Sequence, residues 1–230
     1  MEGTEPQEMI NTAKRIRKEN FEVIPHLPAR VIPDKKALEF FITQYHDLGI
    51  NKALVLAGGT KNSAGDFKNS MQLLSTGLFD YYNFKEVLCA GHPEGNKDID
   101  VTGEDKNIME ALRWKTDFSN RTGIPISLTT QFCFELAPVV DWEKKLRHEN
   151  IDFKINLGVS GPAKLQTLIK YAILCGVGPS IRVLQKRAKD ITKLLKPYTP
   201  EKMLIDLAKY KRGTPDSKIS GVHFFPLGGI

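Results

Sequence analysis

The residues of this chain that could do chemistry gather where apolar runs stop abruptly in polar side chains. One such run is Val87-Leu88-Cys89-Ala90-Gly91-His92-Pro93-Glu94-Gly95-Asn96, and another is Thr129-Thr130-Gln131-Phe132-Cys133-Phe134-Glu135. A buried parallel strand looks like this when it delivers side chains to a site at its C-terminal mouth, where polar groups leave the core and face a ligand. One such strand end is an ordinary turn; two, about 40 residues apart with helical sequence between them, point to a repeating βα enzyme. His92 and Asn96 can donate hydrogen bonds, and Gln131 can both donate and accept. The pair Gly58-Gly59 lets backbone approach a ligand closely, although glycine pairs also serve plain tight turns.

The elements that must position these groups alternate regularly. A helix over residues 4–20, with Thr4 as its cap, leads into a strand Phe21–His26 that ends on the histidine. Asp34 caps a helix carrying Leu38, Phe41, Ile42 and Tyr45, which Gly49 stops. Strand Lys52–Ala57 ends in Gly58-Gly59-Thr60. A polar loop, a helix over 68–78, strand Glu86–Ala90, a second polar loop and a helix over 108–122 follow. Strand Ile124–Phe134, a helix over 139–150 and strand Phe153–Leu157 come next, the last ending in Gly158-Val159-Ser160-Gly161-Pro162. Helices are expected over 163–175, 180–195 and 200–210, and the closing strand is Gly221–Pro226. Gln131 and Cys133 should share one face of their strand, and Phe132 and Phe134 the other. Six strands alternating with helices predict a parallel α/β sheet in one domain spanning residues 1–230. Glycine- and polar-rich loops after strands favour a barrel with functional loops on one face. Six strands do not close such a barrel: the sheet is open, or strands are missing.

A hydrophobic content of 41% and a charged content of 26% are those of a globular protein. No apolar run reaches the ~20 residues needed to span a bilayer, and the N-terminus lacks a basic segment followed by an apolar core. Cys89, Cys133 and Cys175 form an odd, scattered set without zinc spacing, read as buried free thiols in a reducing, cytoplasmic compartment with no metal site. The net charge of +6 sits largely in helical runs such as Lys14-Arg15-Ile16-Arg17-Lys18 and Lys186-Arg187-Ala188-Lys189, read as solvated faces. Neither basic run interleaves aromatics, so nucleic acid is not expected as a partner. The same surface would suit a polyanionic small ligand.

Five motifs in order make the chain recognisable: His26 after Val23-Ile24-Pro25; Leu54-Val55-Leu56-Ala57-Gly58-Gly59; Ala90-Gly91-His92-Pro93-Glu94-Gly95-Asn96; Thr130-Gln131-Phe132-Cys133-Phe134-Glu135; and Gly221-Val222-His223-Phe224-Phe225. Together they resemble the methylenetetrahydrofolate reductase family, a flavin-dependent (β/α)8 TIM barrel, over essentially the whole chain. The resemblance implies FAD as cofactor, NADH or NADPH as reductant, a folate substrate, and a place in one-carbon metabolism and methionine biosynthesis. In that family two strands and a helix precede the point where this chain begins, and a final helix follows where it stops. The chain is therefore expected to be an incomplete barrel: a fragment, a mis-called start or a shortened relative. Its open sheet edge should invite association, including a homo-oligomer. The family's catalytic glutamate, at the end of its first strand, has no counterpart here, so no catalytic residue is assigned.

By the same resemblance His26 matches a flavin-contacting histidine and Lys115 a basic residue near the flavin phosphates. His92 stands where a flavin-contacting tyrosine is usual, and Asn96 where a histidine is usual. The family's arginine and aspartate after the next strand are Ala57 and Gly59 here, with Gly58 retained, which affects how a pterin would be oriented. Gln131 matches a glutamine that contacts folate and nicotinamide. A flavin needs donors at its ring carbonyls and a cation or backbone amides at its diphosphate, and these residues could supply both. The competing structural readings are polar strand caps for His26 and Asn96, a surface lysine for Lys115, and a Gln131 bonded to a neighbouring loop. Glu135 is expected to cap the following helix, His223 to be a satisfied core residue, and Phe224 or Phe225 to stack on a flat ring. His26, Gly58, His92, Gln131 and Ser160 are expected to converge at one mouth. The leading function is reduction of 5,10-methylenetetrahydrofolate to 5-methyltetrahydrofolate. The alternatives are a non-reducing folate- or flavin-binding relative and a folate-dependent methyl-transfer enzyme on the same barrel.

Overall fold

In the computed structural model of the chain, residues 6–60, 62–174 and 197–227 are described. The fold is α/β, with a six-stranded, all-parallel sheet in the order β1-β2-β3-β4-β5-β6 and helices between the strands. The strands are β1 (His26–Pro28), β2 (Lys52–Leu56), β3 (Glu86–Gly91), β4 (Ile126–Phe132), β5 (Lys154–Ser160) and β6 (Ile219–Phe225). Around them run α1 (Pro6–Lys18), α2 (Lys35–Asp47), α3 (Ser70–Leu74), α4 (Leu78–Tyr81), α5 (Lys106–Thr122), α6 (Ala137–His148), α7 (Leu165–Leu174) and α8 (Glu201–Gly213). The expected cap at Thr4, the helix over 180–195 and Cys175 lie outside the described residues. Among the described residues no helix is long and apolar enough to cross a membrane, and no His, Cys, Asp or Glu group could hold a metal ion.

Contacts divide the chain into two compact units, residues 1–89 with 117–127, and residues 90–116 with 128–230. In the first unit, local rules explain most elements. The Asp34 side chain accepts from the Ala37 amide at 2.8 Å, which satisfies one free donor at the start of α2. Leu38, Ile42 and Tyr45 then form its buried stripe, and Gly49 ends it at φ +70°. Ala53 and Val55 of β2 and Val87 and Cys89 of β3 are fully buried, as expected of central parallel strands covered on both faces. The register row His26–Leu54–Leu88 lies on the opposite face.

Two elements differ from expectation here. β1 begins at His26 instead of ending there, because the ladder starts when the Leu54 amide donates to the Pro25 carbonyl (2.9 Å), while Phe21 stays 65% exposed. The helix expected over 68–78 is two short helices, capped by Asn69 and separated by Gly77 at φ +76°. A left-handed residue cannot continue an α-helix.

In the second unit, the helix-facing side of β4 carries Leu128 and Phe132, both fully buried. Phe132, Phe134, Leu165, Leu168 and Tyr198 form an apolar cluster with Phe225 packed against it. β5 runs three residues further than the sequence suggested, through Gly158-Val159-Ser160. Gly158 allows this because β4 lies flush against it: its amide donates to Thr130 Oγ1 (2.8 Å), and its carbonyl accepts from the Cys133 amide (2.9 Å). A Cβ at that position would collide with the Thr130 and Gln131 carbonyls. Gly158→Ala is therefore expected to destabilise the fold by about 1–3 kcal/mol; an unchanged thermal melt would show that β4 yields easily.

Candidate functional site

The first unit supplies His26, Gly58 and Gly59. His26 is half-buried at the start of β1, opposite Leu54 and two positions short of the strand's end. Gly58 holds φ +98°, and a Cβ there would press on Pro28 Cβ at 3.3 Å. Its carbonyl accepts from Arg30 Nη1 (3.4 Å), which also reaches the Thr60 carbonyl (3.0 Å), while Arg30 Nε donates to Lys68 (3.1 Å). Gly58 is thus a turn glycine in a loop stapled by Arg30, a residue that sequence reading passed over. Gly59 is different, because nothing lies within 4 Å of where its Cβ would be. It leaves open backbone at the end of β2.

The second unit brings together His92, Asn96 and Lys115. The chain leaving β3 folds into a tight turn in which Gly95 donates to the His92 carbonyl (3.1 Å), and Ile99 and Asp100 donate to the Asn96 carbonyl (3.1 and 2.9 Å). Asp100, buried, caps α5 by accepting from the Asn107 and Ile108 amides, both at 3.0 Å. Lys145 pins the end of the loop through Asp105 at 2.8 Å. On α5, Ile108, Leu112 and Lys115 recur at helical spacing on the buried stripe. Lys115 is therefore not the surface lysine of the competing reading; it is only 6% exposed. Its ammonium has no ion pair or hydrogen bond among the described residues. Its charge is felt at His92, whose pKa is lowered to about 4, first by burial and then by Lys115. His92 is thus a neutral donor at pH 7, with Asn96 Nδ2 at 3.4 Å from its Nδ1.

Gln131 is half-buried near the end of β4, and its side-chain amide makes no hydrogen bond to the described residues. It is not tied to a neighbouring loop. On the same face of β4, Thr129 is 6% exposed and its hydroxyl has no partner among the described residues; the same holds for the buried Ser160 hydroxyl at the end of β5. Each such group costs about 1–3 kcal/mol unless something satisfies it. A threonine within an apolar strand gave little sequence signal; only its lack of a partner singles out Thr129.

Other expected participants fall elsewhere. Glu135 is exposed and does not cap α6, whose N-cap Leu136 makes no side-chain cap bond. Pro138 starts that helix without needing one. Phe225 is committed to the core, with its ring 5.7 Å from Phe132 and 4.7 Å from His223. His223 is half-buried, and burial lowers its pKa. Phe224, on the opposite face of β6, stays 52% exposed. Cys133 is buried, and burial, with the Glu94 carboxylate nearby, pushes its thiol up to about 12, which leaves it unreactive. Cys89 is also buried and forms no disulfide with the described residues. A recess of about 330 Å³ at the N-terminal ends of β5 and β6 is lined by residues that include Arg147, Asp152, Asp216 and Lys218. Both of its cations are in ion pairs, Arg147 with Asp216 at 2.6 Å and Lys218 with Asp152 at 2.5 Å, although Arg147 Nε has no partner among the described residues. No known protein-family model matches the chain.

Proposed function

We propose that the chain is an oxidoreductase of the methylenetetrahydrofolate reductase type, built on a partial (β/α)8 barrel. It would reduce 5,10-methylenetetrahydrofolate to 5-methyltetrahydrofolate with FAD and NADH or NADPH. The observation that carries this reading is Lys115, a lysine only 6% exposed, whose ammonium stands beside the neutral donor His92 and forms no ion pair among the described residues. A lysine whose stem is packed and whose ammonium is not engaged in an ion pair offers an anionic ligand a charge-assisted hydrogen bond at little ordering cost. FAD fits the donor set. Within the second unit, Lys115 suits its diphosphate and His92 its ring or ribose. Bound flavin supplies hydride transfer between a nicotinamide and a folate.

The chain's own part is to bind and orient. The free Gln131 amide can donate to and accept from a pterin or a nicotinamide, and the unpaired Thr129 and Ser160 hydroxyls favour a polar occupant over an apolar one. The exposed Phe224 ring offers a flat surface for stacking. Opening the methylene bridge requires a proton on the departing nitrogen, and that acid is unassigned. A second reading, a flavin- or folate-binding relative that does not reduce, is favoured by Gly59, where open space replaces a side chain that would orient the pterin.

Titrating FAD against the purified protein tests the reading. Saturable binding of about one equivalent supports it; no binding at any accessible concentration removes it and leaves, of the second reading, only a folate-binding relative. Gln131→Leu is expected to leave FAD affinity unchanged and weaken a folate by about 0.5–1.5 kcal/mol, up to roughly tenfold. Equal loss of both ligands would take Gln131 away from the pterin.

A further inference from the structure

The hydrogen bonds around His92 decide which of its ring nitrogens carries the proton. The side-chain oxygen of Asn96 is committed, since it accepts from the Asp98 amide at 2.8 Å. The amide nitrogen is therefore the Asn96 atom that faces His92 Nδ1, at 3.4 Å. An amide NH₂ only donates, so Nδ1 accepts, and a neutral imidazole must then carry its proton on Nε2. Both residues are held in one turn by the Gly95 amide on the His92 carbonyl and the Ile99 and Asp100 amides on the Asn96 carbonyl. The pair is rigid from both sides. Burial and the charge of Lys115, on α5, oppose protonation of the ring, in keeping with a single neutral form.

We propose that Asn96 is a positioning residue that fixes His92 as its Nε2–H tautomer, so that His92 presents a neutral donor next to the Lys115 ammonium. The group such a pair receives is a hydrogen-bond acceptor with negative charge, an anionic or carbonyl oxygen, and not a donor such as an amine. Asn96 thus acts through His92 and not by touching the ligand itself. The inference does not rest on flavin or folate binding, because the tautomer is a property of the unliganded protein.

Long-range proton–nitrogen NMR correlation on the full chain, with ¹⁵N-labelled histidine at neutral pH, reads the tautomer directly. The His92 signals are identified by their loss in His92→Gln. The expected result is a proton on Nε2 and a bare Nδ1. Asn96→Asp is the informative variant, because its carboxylate still accepts from the Asp98 amide and keeps the turn, but it replaces the donor facing Nδ1 with an acceptor. In that variant the proton is expected to move to Nδ1. A parent protein with its proton on Nδ1, or with both tautomers equally populated, overturns the proposal, as does a folded Asn96→Asp variant that remains Nε2–H. If the variant does not fold, the parent spectrum alone decides.

Discussion

Replacing Lys115 with methionine is expected to do two separable things: leave the unliganded protein about as stable as before, and weaken its binding of FAD. The lysine is 6% exposed on the core-facing stripe of α5, with no partner among the described residues. A methionine of similar length keeps the packing of the buried stem and loses only the ammonium, so a change of less than about 1 kcal/mol is expected in the free protein. The charged hydrogen bond it would offer a diphosphate is worth about 1.5–3 kcal/mol, which corresponds to roughly a 10- to 150-fold loss of FAD affinity. Riboflavin, which lacks phosphate, should lose little. The FAD effect should also shrink as salt rises, because part of it is screened Coulomb attraction. Thermal melts of the free variant and parallel titrations of FAD and riboflavin check both halves. A variant that is less stable when free, and that loses both flavins equally, would mean that Lys115 is a structural residue.

The largest loss of stability is expected from Glu143. This residue of α6 is fully buried, and its carboxylate accepts from Tyr210 Oη (2.8 Å), from Arg147 Nη2 (3.2 Å) and from the Lys218 amide. It therefore ties α6 to α8 and to the residue preceding β6. Burial alone would raise its pKa, but bonds from Tyr210, the Lys218 amide, Ser217 and Arg147 outweigh burial and hold the carboxyl below its ordinary range. Glu143→Leu leaves the Arg147 charge and the Lys218 amide without this partner, and a loss of about 3–5 kcal/mol is expected. In a chain of this size that lowers the melting temperature by on the order of 10 °C. Tyr210→Phe, which removes one donor, should cost about 1.5–3 kcal/mol. The sign of the pH dependence follows from the depressed pKa. The stabilisation is fully present above the ordinary carboxylate pKa and is lost as pH falls through the lowered folded value. Glu143→Leu should therefore flatten the acid limb of the stability curve. A loss under about 1 kcal/mol, with that limb unchanged, would show the network to be dispensable.

The sequence by itself determined the alternation of strands and helices, because that depends on local pattern. The apolar runs at Ala53–Val55 and Val87–Cys89 need only their neighbours to be read as buried strands, and six parallel strands are what the structure contains. The Asp34 cap and the Gly49 stop were legible for the same reason, since each acts within a few residues of itself. Where a distant partner sets the outcome, local reading failed. β1 starts at His26 because Leu54 bonds to Pro25. β5 runs on to Ser160 because Gly158 fits against β4, although its glycines read as a loop. The candidate site divides in the same way. His92, Asn96 and Gln131 were visible as polar residues at strand ends, a local signal. The character of each was not. That Lys115 is only 6% exposed, that Asn96 Nδ2 lies 3.4 Å from His92 Nδ1, and that the Thr129 and Ser160 hydroxyls have no partner among the described residues are facts about their surroundings. Burial and hydrogen-bond satisfaction are set by what packs against a residue, so only the tertiary structure could decide them.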